Sequence, residues 1–302
     1  MSRRSLCTMQ YRLRFPLFVL ALCGAACGGS DRTGVLPDGP APLDAAVLDA
    51  TAPDATMADA AASDGGCVPT SPAAEVCDGI DNDCDGLVDN VDVAGDGIYD
   101  CQRVLFLGTQ GAQASSSFEA WAHSNGTTVT RLVDPSVTVD AALLAAYDIV
   151  LIDRVGRLYT ADEAAALATW VHAGGGVMAL SGYSGGPQDQ TFPNSLVVQL
   201  GVQFTGALLS GPVTMFTPHP LSTGLTSVTF SGGFPVMATA SAEQPIVVGQ
   251  IGTTPVAIAT PYGSGRVYLW GDEWVTFDSQ WAGSIQILQF WVDAFGWLGK
   301  FR

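Results

Sequence analysis

The feature that most restricts the fold is the alternation of short apolar runs with helical segments after residue 103. Two of the runs, 104–108 and 148–153, are apolar almost throughout, as is typical of strands buried on both faces of a sheet. Strands and helices that alternate at this spacing predict βαβ units and a parallel sheet. The predicted strands are residues 104–108, 129–133, 148–153 and 177–180, and the predicted helices are 115–123, 141–147 and 160–173.

The second half of the domain contains more strand-like segments than helical ones. One helix is predicted near its end, over residues 284–298, with apolar residues on a wide face that is expected to pack on the sheet. We therefore predict an α/β domain over residues 102–302, with helices flanking a parallel sheet and extra strands in its second half. These extra strands are residues 213–216, 228–230, 245–249, 255–259 and 266–270.

The first 66 residues have the composition of an export signal followed by a tether. Residues 1–27 place basic residues before an apolar run that is too short to span a bilayer. The small residues before Cys27 resemble a bacterial lipoprotein cleavage box, so we predict lipidation at Cys27, with ordinary signal cleavage nearby as the alternative. Residues 28–66 are rich in Ala, Asp and Pro and predict a disordered tether.

These features predict an exported protein, anchored by its lipid in the outer membrane and facing the periplasm or the cell surface.

The chain carries a formal net charge of −17. Phosphate binding requires a basic surface, so nucleic acid is excluded as a partner. The expected partners are the membrane and an extracellular or periplasmic ligand that the sequence does not identify.

An Asp-rich segment, residues 77–92, has the spacing of a twelve-residue calcium loop. Gly86 falls at the sixth position, where the loop needs a sharp turn, and Asp92 stands at the twelfth, where Glu is usual. Calcium prefers six to eight hard oxygen ligands, which alternate residues of a tight loop can supply. The alternative is an acidic turn without metal. The predicted ligands are Asp81, Asp83, Asp85, the carbonyl of Leu87, Asp89 and Asp92.

Four cysteines surround this loop within residues 67–101, the segment that we treat as a separate metal-binding unit. An even number of cysteines in a short stretch of an exported chain predicts two disulfides. Three pairings are possible. We favour Cys77–Cys84 with Cys67–Cys101, because each bond would then bracket the Asp-rich loop.

The loop also carries a family resemblance. Residues 75–86 read Glu-Val-Cys-Asp-Gly-Ile-Asp-Asn-Asp-Cys-Asp-Gly and resemble the MopE-type metal-binding repeat of bacterial surface and secreted proteins. They are also similar to the calcium repeats of thrombospondin type 3. The MopE resemblance implies copper as an alternative ion. We favour calcium, because the loop offers carboxylates and neither His nor Met.

The large domain resembles the class I glutamine amidotransferase-like fold, and especially its ThuA-like relatives. The resemblance is carried by residues 217–225, which contain His219-Pro220-Leu221, and by residues 263–267 leading to Gly271-Asp272-Glu273. It implies a flavodoxin-like sheet whose site, if present, lies at the carboxyl ends of the strands. No Cys follows Cys101, so a thiolate nucleophile and glutaminase activity are excluded from this domain.

Two enzymatic alternatives remain in the sequence. Residues 182–186 fit G-x-S-x-G, so Ser184 is a candidate nucleophile with His219 as base and Asp153 or Asp272 as orienting carboxylate. Against this, glycines and a proline follow Ser184 where the nucleophile elbow needs a helix. The second alternative is a ligand site or carbohydrate-active site at Asp272, Glu273 and Trp274. We favour a domain that binds a ligand or partner without catalysis.

Overall fold

The computed structural model describes residues 67–69, 75–77, 80–87, 89–93, 95, 98, 100–111, 113–281 and 285–299. All of them belong to one compact unit, Ala60–Arg302. The predicted signal, Cys27 and the predicted tether lie outside the described residues. Within the described part of the chain, no helix is long and apolar enough to cross a membrane.

An eight-stranded sheet forms the centre of the domain. Five neighbouring strands, β2-β1-β3-β4-β12, run parallel, and three antiparallel strands, β11-β10-β7, extend the sheet on one side. Two small antiparallel sheets, β5-β9 and β6-β8, add to it. The strands are β1 Arg103–Leu107, β2 Thr128–Leu132, β3 Ile149–Ile152, β4 Gly176–Leu180, β5 Val202–Phe204, β6 Leu209–Ser210, β7 Met215–Phe216, β8 Ser231–Gly233, β9 Val236–Ala238, β10 Ile246–Ile251, β11 Thr254–Tyr262 and β12 Gly265–Trp270.

Helices cover both faces of this sheet. One face packs against α1 and α6 through a core of aromatic and aliphatic side chains that includes Phe106, Phe118 and Trp291. The other face packs against α2, α3 and α4 through a second core that includes Leu105, Leu167 and Leu196. The helices are α1 Ser116–Ser124, α2 Ala141–Leu144, α3 Ala161–His172, α4 Thr191–Val197, α5 Asp278–Trp281 and α6 Ile285–Leu298.

The continuous apolar runs in the sequence correspond to strands that are buried on both faces. All residues of β3 and β4 are buried, since a parallel sheet with helices on both faces shields both sides of each strand. A capping box begins α3: Thr160 Oγ1 accepts a hydrogen bond from Glu163 N, and the Glu163 carboxylate accepts one from Thr160 N. The predicted mixed α/β architecture, with extra strands in its second half, is confirmed.

Some boundaries differ from the prediction. The predicted strand over residues 228–230 is reduced to a single bridge between Val228 and Val213, and the chain pairs instead at Ser231–Gly233. Helix α4 was not predicted. It follows a Gly-Gly-Pro turn and contains Pro193 in its first turn. Proline is tolerated there because backbone N–H groups in the first turn have no acceptor within the helix.

The order of the strands defines a switch point at the carboxyl ends of β1 and β3. From β1 the chain moves through α1 to β2 on one side, and it then crosses through α2 to β3 on the other side. In open α/β sheets, ligands bind in the crevice at such a point. The loops after β1, β3, β4 and β12 end at this same edge, which we call the carboxyl edge.

The two predicted disulfides are present, but the favoured pairing was wrong. The structure joins Cys67 to Cys84, with Cα atoms 5.8 Å apart, and Cys77 to Cys101, with Cα atoms 5.4 Å apart. The Asp-rich loop folds over Cys67, whose Sγ lies 3.3 Å from the carbonyl oxygen of Asp81. Cys84 adopts a left-handed conformation with φ of 62° and is bonded to Cys67. Cys77 is bonded to Cys101.

Candidate functional site: an Asp-rich loop and the carboxyl edge of the sheet

The Asp-rich loop turns sharply at Gly86, which has φ of 89°, a conformation that favours glycine. The turn is closed by a hydrogen bond from Gly86 N to Asp81 Oδ2 at 3.0 Å. Asp83 Oδ1 accepts from Asp85 N at 3.1 Å, and Asp85 Oδ1 accepts from Leu87 N at 2.8 Å. Backbone amides thus orient the three alternate carboxylates before any ion binds.

Glu75 is the loop residue that the predicted ligand set did not include. Its two carboxylate oxygens accept hydrogen bonds from Asp83 N at 2.8 Å and Asp89 N at 2.9 Å, so it joins both halves of the loop. One oxygen from each of Glu75, Asp81 and Asp83 lies within 4.8 Å of the others. Glu75 is the first residue of the repeat-like motif of residues 75–86, and its place in that motif is the sequence signal that could have identified it.

The group of carboxylates that lie within 4.8 Å of one another does not include the other predicted side-chain ligands, Asp85, Asp89 and Asp92, which lie along the same loop. Asp85 Oδ2 accepts a hydrogen bond from Asn90 Nδ2 at 2.9 Å. Asp89 adopts φ of 56°, and Leu87, Asp89 and Asp92 are all half-buried. Asp92, Asp96, Gly97 and Asp100 have the spacing of a second, degenerate copy of the loop, and Asp96 and Gly97 lie outside the described residues.

The donor set of the loop fits a hard cation. Asp81 Oδ1 is buried and, among the described residues, accepts no hydrogen bond. A buried carboxylate oxygen without a donor is costly unless a cation or a proton satisfies it. Every side-chain donor of the predicted set is a carboxylate oxygen, which is the chemistry that calcium prefers.

At the carboxyl edge, Asp272 and Glu273 have different environments. Asp272 is fully buried, and its oxygens accept hydrogen bonds from the backbone amides of Ser231 and Trp274. Burial raises the pKa of Asp272 to about 7, although these hydrogen bonds oppose the shift. Its contacts are structural, because they hold the β12 loop against β8. Trp274 is half-buried, with its ring centroid 5.7 Å from that of Phe277.

Glu273 lies where the loops after four strands converge. Its side chain is 4% exposed, and Oε1 lies 3.5 Å from Arg154 Nη1 in the loop after β3. A Cβ atom added to Gly111, after β1, or to Gly182, after β4, would overlap the Glu273 carboxylate. Glycine at these two positions is therefore what lets the β1 and β4 loops close over Glu273.

Asp153 is a second buried carboxylate at this edge. Its side chain is 1% exposed, and Arg131 Nη1 lies 3.7 Å from Oδ2, an ion-pair distance longer than a hydrogen bond. Burial, and then the negative charge of Glu273, raise the pKa of Asp153 to about 7, against the opposing effect of two arginines. Arg154, the next residue, has φ of 48°, which is uncommon for a side chain of its size. The carboxyl edge thus combines buried acids with a strained backbone.

Ser184 and His219 are not brought together. Ser184 follows β4 at the carboxyl edge, where its hydroxyl and its N–H both donate to Asp189 Oδ1. His219 lies 5.3 Å from the ring of Trp297, which also contacts Arg266 at the start of β12. The length of the parallel strands, roughly 13 Å for five residues, separates the two ends. These contacts place the two candidate residues, Ser184 and His219, at opposite ends of the parallel strands.

The environment of His219 is that of a structural turn. Its Nδ1 accepts a hydrogen bond from Leu221 N at 3.2 Å. Burial, and then the charge of Arg266, lower the pKa of His219 below its ordinary value. A surface groove of about 390 Å³ lies between α3 and Tyr262, and none of the predicted site residues lines it.

Comparison with known proteins finds likeness in structure and not in sequence. No family profile and no curated protein matches the chain. Cytoplasmic protein STM1381 of Salmonella typhimurium is 16% identical with a TM-score of 0.53, over 66% of this chain and 100% of its own. Cytoplasmic protein STM3548 of Salmonella typhimurium is 14% identical with a TM-score of 0.52, over 66% of this chain and 99% of its own.

A ThuA-like protein of Bacteroides uniformis is also among the structural neighbours. It is 16% identical with a TM-score of 0.46, over 65% of this chain and 91% of its own. At these identities a likeness shows the fold alone, and that conclusion rests on the two Salmonella proteins. The chain therefore contains a mixed α/β domain with a large, mostly parallel sheet flanked by helices.

Proposed function

We propose that this protein is an exported, lipid-anchored surface protein, in which a calcium loop precedes an α/β domain that binds a ligand or partner without catalysis. The observation that carries the proposal is the loop around Gly86. There, backbone amides orient Asp81, Asp83 and Asp85, and one buried oxygen of Asp81 accepts no hydrogen bond among the described residues.

The ion would be held by oxygen atoms of the loop. The carboxylates of Asp81, Asp83 and Asp85 supply one side, while Leu87 supplies its backbone carbonyl. The register of the loop assigns Asp89 and Asp92 to the set, and Glu75 adds a carboxylate within 4.8 Å of Asp81 and Asp83. Bound calcium would neutralise part of the mutual repulsion of these acids and cross-link the loop.

Calcium is favoured over copper by the donor chemistry. Copper sites in proteins use imidazole, thiolate or thioether ligands. The loop has no His or Met, and its cysteines form disulfides. An extracellular-type calcium site has a Kd of roughly 10⁻⁴–10⁻³ M, and it would stay filled outside the cell.

Titration calorimetry tests the choice of ion. Calcium chloride added to the oxidised protein should release or absorb heat with a saturable isotherm, and copper should bind more weakly. The Asp81→Asn variant should weaken calcium binding at least about tenfold, whereas Asp162→Asn, on exposed helix surface, should leave it unchanged. Copper binding that is lost in Asp81→Asn, together with no heat from calcium, would replace calcium with copper.

The proposed absence of catalysis rests on the site geometry. Ser184 donates its hydroxyl to Asp189, and His219 lies at the other end of the strands. Asp272 is buried and engaged with backbone amides, which argues against the carbohydrate-active alternative. A fluorophosphonate probe should therefore leave Ser184 unlabelled. Labelling at Ser184 that is lost on heat denaturation would support the hydrolase instead.

Export and lipid anchoring rest on the first 27 residues. Radiolabelled palmitate should enter the wild-type protein in a bacterial expression host and should not enter the Cys27→Ser variant. Cys23→Ser is the matched control, since Cys23 also lies in the apolar run. Incorporation that persists in Cys27→Ser would place the lipid on another residue, and no incorporation into the wild-type protein would contradict lipid anchoring.

A further inference from the structure

One residue that follows the Asp-rich loop, Ile98, is buried in the core of the α/β domain. It is fully buried and belongs to the core formed by α1, α6 and one face of the sheet. The same core contains Val104 of β1, Phe118 of α1 and Phe295 of α6. Ile98 lies only six residues after Asp92, the last predicted ligand.

Covalent and polar contacts reinforce this connection. The Cys77–Cys101 disulfide joins the start of the loop segment to a residue just before β1. Asp100 N donates to Val91 O at 2.6 Å, and Asp100 Oδ2 accepts from Val93 N at 2.8 Å. Asp100 also packs against Gly126 in the turn before β2. These contacts hold the end of the loop segment against the amino ends of β1 and β2.

Charges connect the loop to the same end of the sheet. Arg103, the first residue of β1, forms an ion pair with Asp148 at 2.8 Å. The hydrogen bond to Asp148, and to a smaller extent the charge of Asp89 in the loop, raise the pKa of Arg103. Gln102, buried beside β1, donates to the carbonyl of Phe295 in α6. Helix α6 is thereby tied to the segment that leaves the metal loop.

We infer that the Asp-rich loop and the α/β domain unfold as one cooperative unit, so that calcium bound to the loop stabilises the sheet and its helices. This inference rests on the proposed calcium binding. It differs from a flexible-spacer arrangement, in which an ion would order the loop and leave the stability of the domain unchanged. The contacts of Ile98, Asp100 and the Cys77–Cys101 disulfide carry the coupling.

Linkage gives the size of the effect. An ion that binds only the folded state at one hundred times its Kd slows exchange through global unfolding by about 100-fold. For a domain of about 200 residues the same effect raises Tm by roughly 5–10 °C. If the loop unfolded separately, calcium would protect the loop amides alone and Tm of the domain would not change.

Hydrogen exchange and thermal unfolding of the oxidised full chain, with and without calcium chloride at saturation, test the inference. Slower exchange is expected in β1, β3 and α6 as well as in the loop. The Ile98→Ala variant should keep the heat of calcium binding but lose most of the calcium-dependent rise in Tm. The matched control is Ile258→Ala, which truncates the same side chain in the core on the opposite face and should keep the full rise.

The outcomes separate the coupling from the binding. Calcium heat with protection confined to residues 75–92, or a full Tm rise in Ile98→Ala, would overturn the coupling and leave the calcium site standing. No calcium heat in the wild-type protein would overturn both. Should Ile98→Ala fail to fold, the distribution of exchange protection in the wild-type protein decides the question.

Discussion

At the scale of single residues, the most informative side chain is Glu75. It accepts backbone hydrogen bonds from both halves of the Asp-rich loop. One of its carboxylate oxygens lies within 4.8 Å of carboxylate oxygens of Asp81 and Asp83. A carboxylate in this position orders the loop in the absence of an ion and adds negative charge beside the ion when one is bound.

The Glu75→Gln variant is predicted to weaken calcium binding by roughly 10-fold or more, because residues that orient metal ligands contribute on this scale. Calorimetry with calcium chloride provides the measurement. Glu243→Gln is a matched control, since Glu243 also accepts a backbone hydrogen bond, from Gly263, far along the chain from the loop. Equal affinities for the two variants would show that Glu75 has no part in binding.

Adding a side chain at Gly182 is predicted to destabilise the folded protein. The Gly182→Ala variant places a Cβ against the Glu273 carboxylate and should lower the free energy of unfolding by about 1–3 kcal/mol. Gly156→Ala is the control, because a Cβ there meets only Pro135 at 4.0 Å. Urea unfolding of the two variants measures the difference, and comparable stabilities would mean that Glu273 moves aside without cost.

At the scale of elements, local signals specified the first half of the domain well. The buried runs of β1 and β3 and the capping box of α3 could each be read from neighbouring residues. Helix α4 could not be predicted in this way, because the Gly-Gly-Pro turn before it gives no sign of a helix start. Its presence is explained by its packing against α3 and β5. The disulfide pairing also depended on a loop shape that residue spacing does not contain.

The capping box of α3 gives a prediction at this scale. The Thr160→Ala variant removes the side-chain acceptor for Glu163 N and should cost about 1 kcal/mol of stability. Thr169→Ala, an exposed site in the same helix, serves as the control and should be close to neutral. The difference in urea midpoints is the measurement, and a Thr169→Ala effect as large as that of Thr160→Ala would count against the cap.

At the scale of the whole molecule, the buried carboxyl groups set the dependence of stability on pH. Asp153 and Asp272, each with a pKa of about 7, hold a proton more tightly when folded than when unfolded. The stability they contribute is present below about pH 4 and is lost as the pH rises towards 7. Glu163, whose pKa is lowered to about 2 chiefly by Arg157, contributes stability above its ordinary pKa and loses it towards pH 2.

The free energy of unfolding is therefore predicted to be highest near pH 4–5 and to fall on either side. Urea unfolding from pH 3 to pH 8, at fixed ionic strength with EDTA present, measures this profile. The Asp153→Asn variant should flatten the fall between pH 5 and pH 7. Stability that rises steadily from pH 5 to pH 7 in the wild-type protein would contradict the assignment of these two carboxyl groups.

The family resemblance in the sequence implied a site, if present, at the carboxyl ends of the strands, but it did not indicate which residues would meet there. Asp272 and Glu273 are adjacent in sequence, yet one supports backbone amides and the other lies under two glycines. Asp153, Arg131 and Arg154 join them only because β1, β2 and β3 are neighbours. Contacts of this kind depend on the tertiary fold and leave no local pattern.

Calcium binding by the Asp-rich loop is tested most directly by equilibrium dialysis of the oxidised protein against radioactive calcium. At millimolar free calcium, we expect about one ion per chain, with half-saturation at roughly 10⁻⁴–10⁻³ M. Binding should be lost in the double variant Asp81→Asn, Asp83→Asn and retained in Asp162→Asn. No bound calcium at these concentrations, or equal binding by the double variant, would contradict calcium binding by this loop.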